Sequence, residues 1–162
     1  MKLLELFSSY YPFIVREFDD DDGGRGYEAL FNDSDGKKVR VEVTTVGLED
    51  PETEDPLNIG TISFTRDGHE ELSGDGREVA KLFGTVIKAI EKILKILKNE
   101  NVDIDIITFA GDMTHGGRVK LYQHLVNRFA KKLDMKSTAP EWLMQALDNH
   151  IAPHTKPFYL SR

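Results

Sequence analysis

A mixed-sheet α/β domain is the fold this sequence predicts: an antiparallel meander of strands, then helix, strand, helix and strand. Three observations carry that expectation. Turn residues Asn32-Asp33-Ser34-Asp35-Gly36 separate two stretches of alternating apolar residues, which reads as a β-hairpin. Apolar residues from Val79 to Leu97 recur at steps of three and four, the period of an amphipathic helix. A β-branched run, Ile104 to Ala110, follows that helix as a strand buried on both faces would.

In chain order, residues 2 to 10 read as a short amphipathic helix stopped by Pro12. Phe13 to Phe18 is a brief extended piece, followed by the acidic run Asp19 to Asp22 and Gly23-Gly24. Tyr27 to Phe31 and Val39 to Val46 are the hairpin strands, and Ile59 to Thr65 is a third strand. Between them Gly47 to Pro56, acidic and holding two further prolines, reads as an exposed loop.

The long helix places Val79, Leu82, Phe83, Val86, Ile87, Ile90, Ile93, Leu94 and Leu97 on one face. Lys88, Lys92, Lys95 and Lys98 gather toward its C-terminus, where positive charge complements the helix dipole. Gly84 inside it costs about 1 kcal/mol relative to alanine, which suggests a close approach to the sheet. Asn99 to Asn101 ends it. After the strand Ile104 to Ala110 comes a loop, Gly111 to Gly117. A second helix then carries Val119, Tyr122, Leu125, Val126, Phe129, Ala130 and Leu133. Ala139 to Asn149 forms a third helix, and Lys156 to Ser161 a closing strand. A strand-helix-strand connection places its second strand parallel to the first. Residues 1–162 read as one domain, with no internal repeat and no linker.

The bulk properties exclude several classes of function. Of 162 residues, 40% are hydrophobic and 30% charged, which suits a globular chain with a core of its own. A net charge of −7 argues against nonspecific binding to nucleic acid or an anionic membrane. There is no cysteine, so thiolate catalysis and Cys-ligated zinc are excluded. Glu5 interrupts the apolar start of the chain and no small-residue cleavage site follows, so no secretion signal is expected. No apolar run approaches the roughly 20 residues of a membrane-spanning helix. The expected location is the cytoplasm.

The stretch with most chemical promise is Glu71-Leu72-Ser73-Gly74-Asp75-Gly76, a glycine turn between a strand and a helix. Two readings compete. Backbone amides of such a turn can hold a phosphate at a helix N-terminus, with Arg77, Lys81 and Arg118 as supporting cations. Alternatively Asp75 and Glu78 form a capping box, Asp-x-x-Glu, which satisfies the same amides and contributes about 1 kcal/mol.

Residues Ile59 to Met135 resemble the acetyl-CoA-binding half of the GNAT acyltransferase superfamily. The family's Gly-x-Gly turn maps onto Gly74-Asp75-Gly76, its later strand onto Ile104 to Ala110, and its Leu-Tyr pair onto Leu121-Tyr122. The resemblance implies a GNAT-like fold, acetyl-CoA as cofactor, pyrophosphate binding at Gly74, Asp75, Gly76, Arg77 and Arg118, and Tyr122 as general acid. His115, in the loop after the central strand, is then the candidate base. The same segment is similar to a widespread group of uncharacterised bacteriophage proteins, through Gly74-Asp75-Gly76, Thr85-Val86 and Arg118-Val119-Lys120-Leu121-Tyr122.

Three features depart from the acyltransferase pattern. Glu71 stands where the family has Arg or Gln facing the pyrophosphate, and a carboxylate there repels it. The Asp75–Glu78 box competes for the amides. Only an acidic, glycine-containing loop lies between Phe18 and Tyr27, where the family builds its acceptor pocket. Tyr122 also fits a core tyrosine in an apolar stripe, and His115 a surface histidine. Asp19 to Asp22 lacks the spacing of a calcium loop, and His69, His115, His124, His150 and His154 have no zinc-ligand spacing, so no metal is expected. No nucleophile elbow is present.

The expectation is a small virus-type accessory protein of GNAT-like fold, non-catalytic, without a cofactor, acting in the host cytoplasm by binding a host or viral protein. Its acidic surface suits partners with basic patches, or mimicry of nucleic acid. The alternative is an acetyl-CoA-dependent N-acyltransferase using the residues above.

Overall fold

The structure, a computed structural model, describes residues 10–19, 25–66, 76–112, 123, 126–137, 141–148 and 155–161. It is a mixed α/β fold with a mostly antiparallel sheet. The six described strands are β1 (Ile14–Asp19), β2 (Arg25–Asn32), β3 (Lys38–Glu49), β4 (Pro56–Arg66), β5 (Ile106–Asp112) and β6 (Thr155–Ser161). They lie in the sheet in chain order, β1-β2-β3-β4-β5-β6. The helices are α1 (Gly76–Asn99), α2 (residues 126–132) and α3 (Glu141–Asp148). The expected helix over residues 2–10 lies outside the described residues, apart from Tyr10. Contacts gather the chain into two compact units, Met1–Thr45 with Ile62–Asp103 and Val46–Thr61 with Ile104–Arg162.

In the first unit β1, β2 and β3 pair antiparallel, so the extended piece before the acidic run extends the expected meander. Strand periodicity sorts their side chains. Tyr27, Ala29 and Phe31 of β2 and Val39, Val41 and Val43 of β3 are all buried on one face. Helix α1 packs against β2, with Phe83, Val86, Ile90, Ile93 and Leu97 buried. The helix ends in a Schellman motif. Asn101 adopts φ 63°, its N–H bonds Lys98 O at 3.0 Å, and the Val102 N–H bonds Leu97 O at 2.9 Å.

The β2–β3 turn follows the sequence expectation. Gly36 has φ 74°, a conformation that glycine adopts without cost, and its N–H bonds Asp33 O at 3.0 Å. Asp33 Oδ1 accepts the N–H groups of Asp35 (3.0 Å) and Lys37 (2.9 Å), while Oδ2 accepts Arg66 Nε at 2.5 Å. Arg66 Nη2 also reaches Asp35 Oδ2 at 3.0 Å. The buried guanidinium at the end of β4 thus ties down the turn. Burial opposes its charge, but the two aspartates outweigh that and raise its pKa.

Ahead of β1, Tyr10 to Phe13 lies along α1. Tyr11 N–H donates to Thr85 Oγ1 (2.8 Å), whose hydroxyl donates to Lys81 O (2.8 Å). The Tyr11 ring stacks on Phe31 at 5.9 Å between centroids. Lys81, Lys88 and Lys92 stand over Tyr11 (4.3 Å), Tyr10 (6.0 Å) and Phe13 (5.6 Å).

In the second unit one expectation fails. Gly47 to Pro56 is not a loop: β3 continues to Glu49 and β4 begins at Pro56. Only Asp50–Asp55 connects them, closed by Asp50 N–H to Asp55 O (2.9 Å) and Glu54 N–H to Asp50 O (2.8 Å). Gly47 has open space around it, and strand pairing outweighs its weak intrinsic preference. Pro56 opens β4, a position where its missing N–H is tolerated. A six-residue link is too short for a parallel crossover, so β3 and β4 form a hairpin.

β4 and β5 are parallel, as the connecting helix requires. β6 pairs antiparallel with β5 along its whole length, and β5 begins at Ile106 rather than Ile104. Asp105 precedes it, bonding Asn58 through its N–H (2.9 Å) and Oδ2 (2.9 Å). Ile59, Ile106 and Leu143 form a buried cluster with Leu57 and Trp142 packed on it, so α3 covers this part of the sheet.

Candidate functional site

Of the sequence-predicted site residues, Gly74, Asp75, His115, Arg118 and Tyr122 lie outside the described residues, as does Glu71. Gly76 and Arg77 are the first two residues of α1, so a helix does start where the glycine turn requires one.

The described residues assemble a different cluster, on the face of β1, β2 and β3 turned away from the valines. Pairing lines up three rows across these strands: Ile14, Leu30 and Arg40; Arg16, Glu28 and Glu42; Phe18, Gly26 and Thr44. Glu28 stands at the centre with its side chain 1% exposed. Arg16 Nε donates to Glu28 Oε1 and Arg40 Nε to Oε2, so one carboxylate carries a guanidinium on each side. Arg40 Nε also lies 2.9 Å from Glu42 Oε1.

Burial alone would push the Glu28 carboxyl up. Hydrogen bonds from Arg16 and Arg40, reinforced by their charges, outweigh it and hold the group below the usual carboxylate range. A carboxylate so saturated is a poor general base. Its evident work is to fix two arginines in place.

Phe18 completes the face. Its ring lies across Gly26, and a Cβ there would collide with it, so this neighbour of Arg25 must be glycine for the ring to lie flat. Arg40 stands over the same ring, 6.0 Å from its centroid. What this face presents outward is Ile14, 64% exposed, with Arg16 and Arg40, their side chains 59% and 45% exposed.

Tyr27 and Arg25, also in the first unit, are held in structural pairs. Tyr27 donates its hydroxyl to Glu100 Oε1, and Arg25 bridges Glu100 Oε2 (3.1 Å) and Glu17 Oε1 (3.1 Å). Burial of the ring, then the hydrogen bond and charge of Glu100, push the Tyr27 pKa up to about 12. In the second unit Thr61 and Thr108, partners in the parallel register, bring their hydroxyls to 3.3 Å.

Sequence reasoning missed the Arg16–Glu28–Arg40 cluster. The signal was a charged residue inside the apolar strand Tyr27 to Phe31. Counting back from the Asp33–Gly36 turn would have set it opposite Glu42.

Comparison of the chain with known protein families, curated proteins and solved structures returns no match.

Proposed function

We propose that this chain is a small virus-type accessory protein with a GNAT-like sheet, non-catalytic, that acts by binding another protein through the outer face of β1–β3. One observation supports the reading most: a buried carboxylate is spent on holding two half-exposed arginines beside an exposed isoleucine. Arginine and aromatic groups set in place are what interface hot spots are made of. Nearby groups able to do acid–base chemistry, Glu28, Asp33 and Tyr27, are occupied by structural partners.

The test is photo-crosslinking in host lysate from a reactive amino acid placed at position 14. Crosslinks to a discrete protein, lost in Arg40→Glu, are expected. A face that yields none, while the same group at Asn32 does, sinks the reading.

A second reading, an acetyl-CoA-dependent N-acyltransferase, is favoured by one observation. β4 leads through α1 to a parallel β5. Amides at Gly74 and Gly76 would hold the pyrophosphate, with Arg77 and Arg118 beside it, Tyr122 as acid and His115 as base. Calorimetry with acetyl-CoA separates the readings. Saturation at 100 times the dissociation constant stabilises a fold by about 2.7 kcal/mol. No heat and no shift at millimolar cofactor excludes this second reading.

A further inference from the structure

We infer that the outer face of β1–β3 takes an extended acidic segment of its partner, whose carboxylates meet the guanidinium ends of Arg16 and Arg40. The inference rests on the protein-binding reading above and names the chemistry of the partner.

The charges of this face are layered. Glu28 lies beneath, its side chain 1% exposed, and Glu42 is 29% exposed. The arginines stand above them at 59% and 45%. The two arginines and two glutamates balance in charge, but the layering sets the guanidinium groups outermost. Each guanidinium has five N–H donors in a rigid fork. The bonds described for Arg16 and Arg40 are made by Nε, and both side chains are about half exposed. With Nε anchored on Glu28, and Arg40 set over Phe18, little side-chain entropy remains to be lost on binding. That is how a site for bidentate carboxylate recognition is prepared.

The overall charge selects among anionic partners. A nucleic acid brings a dense run of phosphates that the remaining acidic surface repels over a distance of about 8 Å at physiological salt. A peptide brings isolated carboxylates and apolar groups, which suit Ile14 and the half-buried Leu30 in the row beside Glu28.

The probe is a fluorescent ten-residue peptide alternating Glu and Thr, titrated into the full chain while arginine Nε–H signals are followed by NMR. Signals of Arg16 and Arg40 are expected to move, and affinity to fall at least tenfold in Arg40→Lys, which keeps the charge and loses the fork. Ile14→Glu leaves the triad untouched and is expected to weaken binding similarly. The inference is overturned if the Glu-Thr peptide does not bind at millimolar concentration, if a Lys-Thr peptide or an oligothymidylate of equal length binds as well, or if the variants bind normally. Crosslinking from position 14 separates the two levels. Crosslinks without peptide binding overturn the acidic chemistry and keep protein binding; failure of both overturns both.

Discussion

Replacing Glu28 with glutamine preserves shape and removes one buried charge, so its cost isolates what the carboxylate does. Two charge-assisted hydrogen bonds are lost, each with a net contribution of about 1.5–3 kcal/mol in general. Arg16 and Arg40 are about half exposed and regain water, which places each loss at the low end. The glutamine oxygen recovers one neutral bond of about 1 kcal/mol. The expected destabilisation at pH 7 is therefore about 2 kcal/mol, somewhat below the roughly 3–5 kcal/mol for breaking a fully buried pair. In a chain of this size that lowers Tm by about 4–8 °C.

The pH dependence makes the test sharper. The folded-state pKa of Glu28 is depressed, so its contribution is complete above the unfolded carboxyl value of about 4.3 and disappears as pH falls through the folded value. Urea melts of both proteins at pH 7 should differ, and the difference should shrink steadily under acid. Equal stability at pH 7, or a gap unchanged at the lowest pH at which both remain folded, would refute the argument that charge pairing fixes this face.

Thr85→Val keeps volume but strands the buried Tyr11 N–H, so a loss of about 1–3 kcal/mol is expected, with faster amide exchange at Tyr11. Thr85→Ser should retain most of the bond; if the two variants melt alike, the hydroxyl is not what holds the segment. Tyr27 should ionise near pH 12 in a 295 nm titration. Because its folded pKa is raised, stability is full below the unfolded value of about 10 and falls as pH rises toward 12; Glu100→Gln should lower that pKa. Gly26→Val should displace the Phe18 ring, costing stability by overpacking of about 1–3 kcal/mol, and a double variant with Phe18→Ala should recover part of it.

How much could be read in advance depended on the range of the forces involved. Helix α1 was legible because its signal is local: Leu82, Val86, Ile90, Ile93 and Leu97 fall on one stripe whatever covers them. The hairpin turn was legible for the same reason, since Asp33 and Gly36 carry its geometry themselves. The continuation of β3 through Gly47 was not, because it depends on pairing with a strand that starts at Pro56. The arginine pair was further out of reach. It depends on cross-strand register, which sets Arg16 opposite Glu28 and Arg40 one row along, and on Gly26 making room for Phe18. The glycine turn, the most conspicuous feature of the sequence, is represented in the described structure by Gly76 alone.

Total charge and local charge lead here to opposite partners. A net charge of −7 points to basic partners, and short of contact, out to the screening length, that is the field an approaching molecule meets. At contact the governing quantity is which groups reach solvent. On β1–β3 the strand pleat and the pairing of Glu28 with two arginines put carboxylates below and guanidinium groups above. A partner for this face therefore has to be acidic where it touches and free of a large negative charge elsewhere. Such a partner would bind in a salt-sensitive way through few contacts, and raising salt would speed its approach to an acidic protein while weakening the contact itself. Opposite salt dependences of association rate and affinity, measured by stopped flow with the Glu-Thr peptide, are thus the signature of this arrangement. Rates and affinities that fall together with salt would mean that the face is governed by an extended positive field that the structure does not contain.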